Sequence, residues 1–189
     1  MSQLPKIILK LPNIVTAFRL ALSFVFFYLC MQKSNYSVEA VIVFTIAAVT
    51  DFIDGSLARK LKIESSFGEK FDPIADKFLT TAAFVAFAIQ GIIEFWMVSI
   101  VVFRDIFTTV MRQKFFITKN IPTSKSAKFK TVIQFIFISF LLILRMLDSL
   151  GSSVHHIIYS PAIFYVMLGI TILTVWTMLE YIIQMIKAK

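Results

Sequence analysis

Six of the eleven acidic residues of this chain lie between positions 51 and 76, and four of those six are aspartates arranged in two pairs. Asp51 and Asp54 are separated by three positions, Asp72 and Asp76 by four. On a helix these spacings put the members of each pair about 60° and about 40° apart around the axis, on one face. Two such helices packed side by side would bring four carboxylates together, and like charges that close raise one another's proton affinity unless a cation neutralises them. A hard, all-oxygen donor set at a partly hydrated site suits Mg²⁺ or Mn²⁺, as one ion or a pair. Small residues share the same stripes: Gly55 one turn beyond Asp51, Ala58 nearly two turns on, and Gly68 in line with Asp72 and Asp76. They leave space for a bulky group such as a nucleotide to approach the backbone. Arg59, just past the first pair, offers a fork of donors matched to a phosphate. Metal ligands, an arginine and a cleared floor together describe a diphosphate-binding site. The plainer alternative is solvated carboxylates paired with Lys60, Lys62, Lys70 and Lys77. Two helical pairs with glycines on the same stripes argue against it, since ionisable groups at membrane spans are functional by default.

The elements that must position these residues are apolar. Of 189 residues 58% are hydrophobic, with a mean hydropathy of +0.84, well above the usual apolar share of a soluble domain. Six segments, at 13–31, 38–58, 71–90, 93–114, 128–147 and 156–186, are each long enough to cross about 30 Å of hydrocarbon as a helix. The last is longer than required, with a loop entry or kink expected at Ser160-Pro161. Residues 1–10 precede them as a juxtamembrane segment, amphipathic from Pro5 to Lys10. The apolar run that follows is too long for a signal-peptide core and has no small-residue cleavage site. The fold class expected is therefore an all-α integral membrane protein of six transmembrane helices, a single domain over 1–189. The lone cysteine, Cys30, excludes an internal disulfide and a multi-cysteine zinc site.

Charge sets the orientation. The formal net charge is +8, from nineteen Lys and Arg against eleven Asp and Glu. In a chain this apolar, basicity points to cationic loops and not to nucleic acid. Lys6, Lys10 and Arg19 open the first span; Arg59 to Lys77 lie between spans two and three; Arg112 to Lys130 lie between four and five; Lys187 and Lys189 end the chain. With six spans all four groups fall on one face, leaving only Lys33, Arg104 and Arg145 elsewhere. Both termini and the aspartates are thereby expected at the cytoplasmic side of a cell (inner) membrane, with the lipid bilayer as solvent.

The run Asp51-x2-Asp54-Gly55-x2-Ala58-Arg59-x8-Gly68-x3-Asp72-x3-Asp76 resembles, without departure, the signature of the CDP-alcohol phosphatidyltransferase family. The resemblance implies six transmembrane helices, a homodimer, and two divalent metals between helices two and three. It also implies a reaction in which a CDP-linked donor passes its phosphatidyl group to an alcohol and releases CMP. Carried over position by position, Asp51, Asp54 and Asp72 match metal ligands. Asp76 matches the residue that is both ligand and general base. Gly55, Arg59 and Ser65 match contacts to the CDP moiety of CDP-diacylglycerol, with Ala58 and Gly68 as the small signature positions beside it.

Other stretches bear on the alcohol. Pro12-Asn13-x2-Thr16-x2-Arg19 resembles the opening of the phosphatidylglycerophosphate synthase branch and of the related cardiolipin synthases, which places Asn13 and Thr16 with the donor-binding residues. Arg104-Asp105-x6-Arg112 and Lys128-x-Lys130-Thr131-x2-Gln134 resemble patterns of the same branch, with Phe103-Arg104-Asp105 where Gly-Arg-Glu is usual and Ala127-Lys128 where Gly-Lys is usual. A charge inside span four is costly unless it faces a polar cavity. Arg104, Arg112, Lys128 and Lys130 are accordingly expected to form a basic pocket for the phosphate of glycerol 3-phosphate. Phosphatidylglycerol (giving cardiolipin) and an inositol phosphate are the alternative acceptors. From a different class, a divalent-cation transporter would use the carboxylates as its ion site, but at one membrane edge instead of the midplane. His155 and His156, adjacent and so divergent on a helix, carry no metal role in this reading.

Overall fold

The computed structural model describes residues 11–32, 37–61, 68–116 and 125–187, with side chains described for 17–32, 38–50, 77–111 and 126–186. Among these residues the fold is all helix: α1 Leu11–Met31, α2 Ser37–Leu61, α3 Gly68–Ile89, α4 Phe95–Phe116, α5 Lys125–Ser149, the short α6 His155–Ile158, and α7 Pro161–Lys187. The six expected segments correspond to the six long helices within a few residues at each end. The last is divided. A hydrogen-bonded turn at Tyr159–Ser160 separates α6 from α7, which restarts on Pro161, whose missing N–H costs nothing at a first helical position.

By contact the chain divides inside α3 into two units, Met1–Ala82 and Ala83–Lys189. In the first unit α1 packs on α2. Arg19, Ser23 and Phe26 are buried on α1 and Ala40, Phe44 and Ala47 on α2. Both sets follow the i, i+4, i+7 repeat of one helical face. The Phe26 and Phe44 rings meet at 5.5 Å and 49°, within the tilted geometries that aromatic pairs prefer. Phe24 of α1 meets Phe78 at the start of α3's described side chains, centroids 5.1 Å apart. The Ser23 hydroxyl is satisfied by the Arg19 carbonyl one turn back, at 2.8 Å.

In the second unit α7 packs against α4 and α5, with α6 lying on α5 and α7. Two turns are closed by glycine. Gly91 (φ 71) and Gly151 (φ 88) end α3 and α5 in the left-handed region. In each, a six-residue backbone bond spans the glycine: Ile92 N–H to Phe87 C=O and Ser152 N–H to Leu147 C=O, both 3.0 Å, the pattern that satisfies the last carbonyls of a helix. Arg145 of α5 reaches Gln90 beyond α3, Nη1 to Oε1 at 2.5 Å, which ties the two glycine turns at the same end.

Much of the exterior of the described residues is apolar. Phe103, Phe129, Ile136, Tyr165, Ile172, Ile183 and Ile186 are exposed, while Arg104, Asp105, Lys130 and Gln134 are buried. Such a distribution suits an apolar surrounding better than water. Among the described residues two stretches, Ser126–Ser149 and His155–Ile186, are long and apolar enough to cross a membrane, with mean hydropathies of 1.9 and 2.1.

Candidate active site

The aspartate signature falls on two helices. Asp51, Asp54, Gly55, Ala58 and Arg59 occupy the C-terminal half of α2, and Gly68, Asp72 and Asp76 the first three turns of α3. Helical backbone runs unbroken through both sets, so the three- and four-residue spacings translate into shared helical faces. The side chains of 51–76 lie outside the described residues, as does Ser65 altogether. Asn13 and Thr16 stand in the first two turns of α1, and Arg112 near the end of α4, with side chains likewise outside. The donor set itself, four carboxylates on two helices, is the hard oxygen chemistry that Mg²⁺ or Mn²⁺ takes.

The second unit shows a polar interior built along three helices. On α4 one face carries Met97, Val98 and Val101, then Arg104, Asp105, Thr108 and Thr109, all buried. On α5, which runs the other way, the buried face begins with Lys130 and Gln134 and continues as Phe137, Ile138, Leu141 and Leu142. On α7 Ile163, Met167 and Ile170 give way to Thr171, Thr174 and Thr177. Each helix thus has an apolar half and a polar half, and because α5 is antiparallel to α4 and α7 the polar halves coincide.

At the centre of that zone is a charged cluster. Lys130 Nζ donates to Asp105 Oδ1 at 2.5 Å, and Arg104 Nη1 donates to the same oxygen at 3.0 Å. Lys130 has 0% of its surface exposed, Arg104 and Asp105 6% each. Two cations therefore share one carboxylate in a place water does not reach. Arg104 Nε and Gln134 Nε2 are buried donors without a hydrogen-bond partner. The neighbouring hydroxyls cannot serve them as donors to a ligand, since they bond back into their own helices: Thr108 to the Arg104 carbonyl at 2.9 Å and Thr109 to the Asp105 carbonyl at 2.7 Å. Buried N–H groups without a partner, beside a lysine and an arginine, suit an acceptor such as an anion.

Of the basic residues expected to gather here, Arg104 and Lys130 are brought together through Asp105. Lys128 is exposed, because two residues turn a helix by about 200° and carry it away from Lys130. The spacing could have exposed this difference in advance. Glu180 of α7 went unremarked as a functional position. Ser126 and Trp176 both donate to its Oε1, at 3.3 and 3.1 Å, and its Oε2 is buried without a partner. A lone acid deep in an apolar run was the available signal. At the other end of the unit His155 meets Asp148, Nδ1 to Oδ2 at 3.2 Å.

Comparison with known proteins agrees with the signature. Residues 9–177 match the model of the CDP-alcohol phosphatidyltransferase family. The chain is 31% identical over 184 residues to a probable phosphatidylglycerophosphate synthase of Mycobacterium tuberculosis, covering 95% of this chain and 83% of that one. It is 30% identical over 148 residues to the CDP-diacylglycerol–glycerol-3-phosphate 3-phosphatidyltransferase of Bacillus subtilis (71% and 77% covered). It is 29% identical over 168 residues to the enzyme of the same name from Rickettsia typhi (87% and 92% covered). With the family model spanning most of its length and its signature complete on α2 and α3, the chain belongs to the CDP-alcohol phosphatidyltransferase family.

Proposed function

We propose that this transferase passes the phosphatidyl group of CDP-diacylglycerol to sn-glycerol 3-phosphate, giving phosphatidylglycerophosphate and CMP in phospholipid biosynthesis. The observation that carries the choice of acceptor is the buried Arg104–Asp105–Lys130 cluster, beside which Arg104 Nε and Gln134 Nε2 are buried donors without a hydrogen-bond partner. A phosphorylated alcohol offers the oxygens that such donors take. The names borne by the relatives from three bacteria support the same acceptor.

In this proposal Asp51, Asp54, Asp72 and Asp76 hold Mg²⁺ or Mn²⁺, two ions per protomer, which when bound neutralise and polarise the donor's diphosphate. Arg59 pairs with the diphosphate, and Gly55, Ala58 and Gly68 admit the nucleotide close to the backbone. Ser65, Asn13 and Thr16 complete the donor-binding set. Arg104 and Lys130, with Arg112 towards the helix end, hold the acceptor's phosphate and leave a free hydroxyl to align with the donor, while Lys128, turned outward, takes no part. That hydroxyl oxygen attacks the phosphorus bearing diacylglycerol. Its proton passes to the Asp76 carboxylate, the new O–P bond forms, and the P–O bond to CMP breaks.

The lengths of the helices support a membrane setting. At 1.5 Å per residue α2 and α5 are each about 37 Å long and α7 about 40 Å, more than the roughly 30 Å of hydrocarbon. We assign all six long helices as spans of the cell (inner) membrane, the termini and the aspartates facing the cytoplasm, and the functional unit as a homodimer. The decisive experiment supplies the purified chain with CDP-diacylglycerol and Mg²⁺ or Mn²⁺ and offers glycerol 3-phosphate, phosphatidylglycerol and inositol phosphate separately. CMP release with glycerol 3-phosphate, abolished by EDTA and restored by either metal, is expected. CMP release only with phosphatidylglycerol would make the chain a cardiolipin-forming enzyme, and none with any alcohol would remove the enzymatic assignment.

A further inference from the structure

Glu180 of α7 is a half-buried carboxylate whose two oxygens have different surroundings. Oε1 accepts from Ser126 Oγ at 3.3 Å and from Trp176 Nε1 at 3.1 Å. Oε2 is buried and has no hydrogen-bond partner. Two donors on one oxygen fix the carboxylate, so the open oxygen is held in one place. A buried acceptor left unmatched carries a free-energy cost that a donor from a bound molecule would relieve. Ser126, Lys130 and Gln134 follow one another at four-residue spacing on α5 and so share one stripe. Through Ser126, Glu180 meets α5 one turn, about 6 Å, towards its N-terminus from Lys130. Deeper in the unit stand Lys130 itself and the buried, unpartnered donors Arg104 Nε and Gln134 Nε2. An open acceptor oxygen therefore lies one helical turn from a set of donors suited to a phosphate.

We propose that Glu180 is a specificity-determining residue for the acceptor alcohol: its Oε2 accepts a hydrogen bond from the C2 hydroxyl of glycerol 3-phosphate, whose phosphate lies one turn deeper. A three-carbon chain with an oxygen at each end covers the distance between the two sets of groups. A carboxylate takes a hydroxyl and repels a phosphate, so Glu180 also sets which end of the acceptor enters first. The C1 hydroxyl is left free to attack the donor. This role of Glu180 rests on the assignment of glycerol 3-phosphate as acceptor and adds the contact that recognises its glycerol part.

The test follows CMP release by the full-length protein in detergent micelles with CDP-diacylglycerol and Mg²⁺, offering two acceptors in turn. One is sn-glycerol 3-phosphate; the other is 3-hydroxypropyl phosphate, which keeps the phosphate and the attacking primary hydroxyl and lacks the C2 hydroxyl. A hydrogen bond to a charged group should make wild-type kcat/KM roughly 10- to 100-fold higher for glycerol 3-phosphate. In Glu180→Gln the amide oxygen takes the place of Oε1, where Ser126 and Trp176 donate. Its NH₂ then takes the place of Oε2, and the acceptor is lost at constant shape. The preference for glycerol 3-phosphate should fall to within about threefold. A merely structural loss lowers both acceptors alike and leaves that ratio unmoved. Glu180→Asp keeps the charge and withdraws it by one methylene; its preference should fall by about threefold or more, and it decides the matter if Glu180→Gln does not fold. Equal kcat/KM of the wild type for the two acceptors, or an undiminished preference in whichever variant folds, would overturn the role of Glu180 and leave the acceptor assignment standing. No CMP from the wild type with glycerol 3-phosphate would instead overturn that assignment, and the role of Glu180 with it.

Discussion

Removing either partner of the buried Lys130–Asp105 contact should have unequal consequences for stability. Lys130→Met takes away one of two cations, and Asp105 keeps Arg104, whose Nη1 stands 3.0 Å from its Oδ1. What remains is a neutral pair, with a methionine of similar length in the space of the lysine stem. The cost should be no more than about 1.5 kcal/mol, that of a volume-conserving change. Asp105→Asn removes the carboxylate that Lys130 and Arg104 share, in a site where Lys130 has 0% exposure. Stripping one member from a buried ionic cluster costs about 3–5 kcal/mol. At about 2–4 °C per kcal/mol for a chain of this size, the melting temperature should fall by roughly 6–20 °C in Asp105→Asn and by at most about 6 °C in Lys130→Met. Fluorescence-monitored unfolding in detergent suits the measurement, since Trp96 and Trp176 both lie in the second unit and both are exposed. Equal losses in the two variants, or a larger one in Lys130→Met, would refute the reasoning that Asp105 is the shared partner of both cations.

Two further outcomes follow from the signature and the charge pattern. Asp76→Asn should reduce CMP release to background while CDP-diacylglycerol still binds, measured by titration with labelled donor; near-wild-type turnover would refute its role as general base. In a Cys30→Ala background, a membrane-impermeant maleimide applied to intact cells should label Ser152→Cys and spare Ser124→Cys, and the reverse pattern would invert the proposed topology.

How much of this was legible in the sequence depends on the range of the interactions. The helices were, because apolar runs of some twenty residues with few glycines and prolines leave little alternative, and because Pro161 marks the restart of the last one. The family was also legible, since its signature is local: the fixed positions lie within 51–76, on the last turns of one helix and the first turns of the next. The charged cluster was legible only in part. Arg104 and Lys130 drew attention as costly charges within or beside spans, but the meeting of Lys130 with Asp105 spans 25 residues of sequence and depends on how α4 and α5 both pack against α7. Treating Lys128 and Lys130 alike overlooked the turn of the helix, which sends one outward and the other inward. Glu180 was passed over because its partners Ser126 and Trp176 come from two helices, one of them 54 residues away. The threonine faces of α4 and α7 disclose their purpose only when seen as one half of a zoned interior.

The most direct test follows the acceptor into product. With CDP-diacylglycerol, divalent metal and glycerol 3-phosphate labelled on its phosphate, the label should appear in a lipid carrying both that phosphate and the diacylglycerol phosphate, formed one-to-one with CMP. Label that stays water-soluble while CMP is released, or label that enters lipid without CMP, would contradict phosphatidyl transfer to glycerol 3-phosphate.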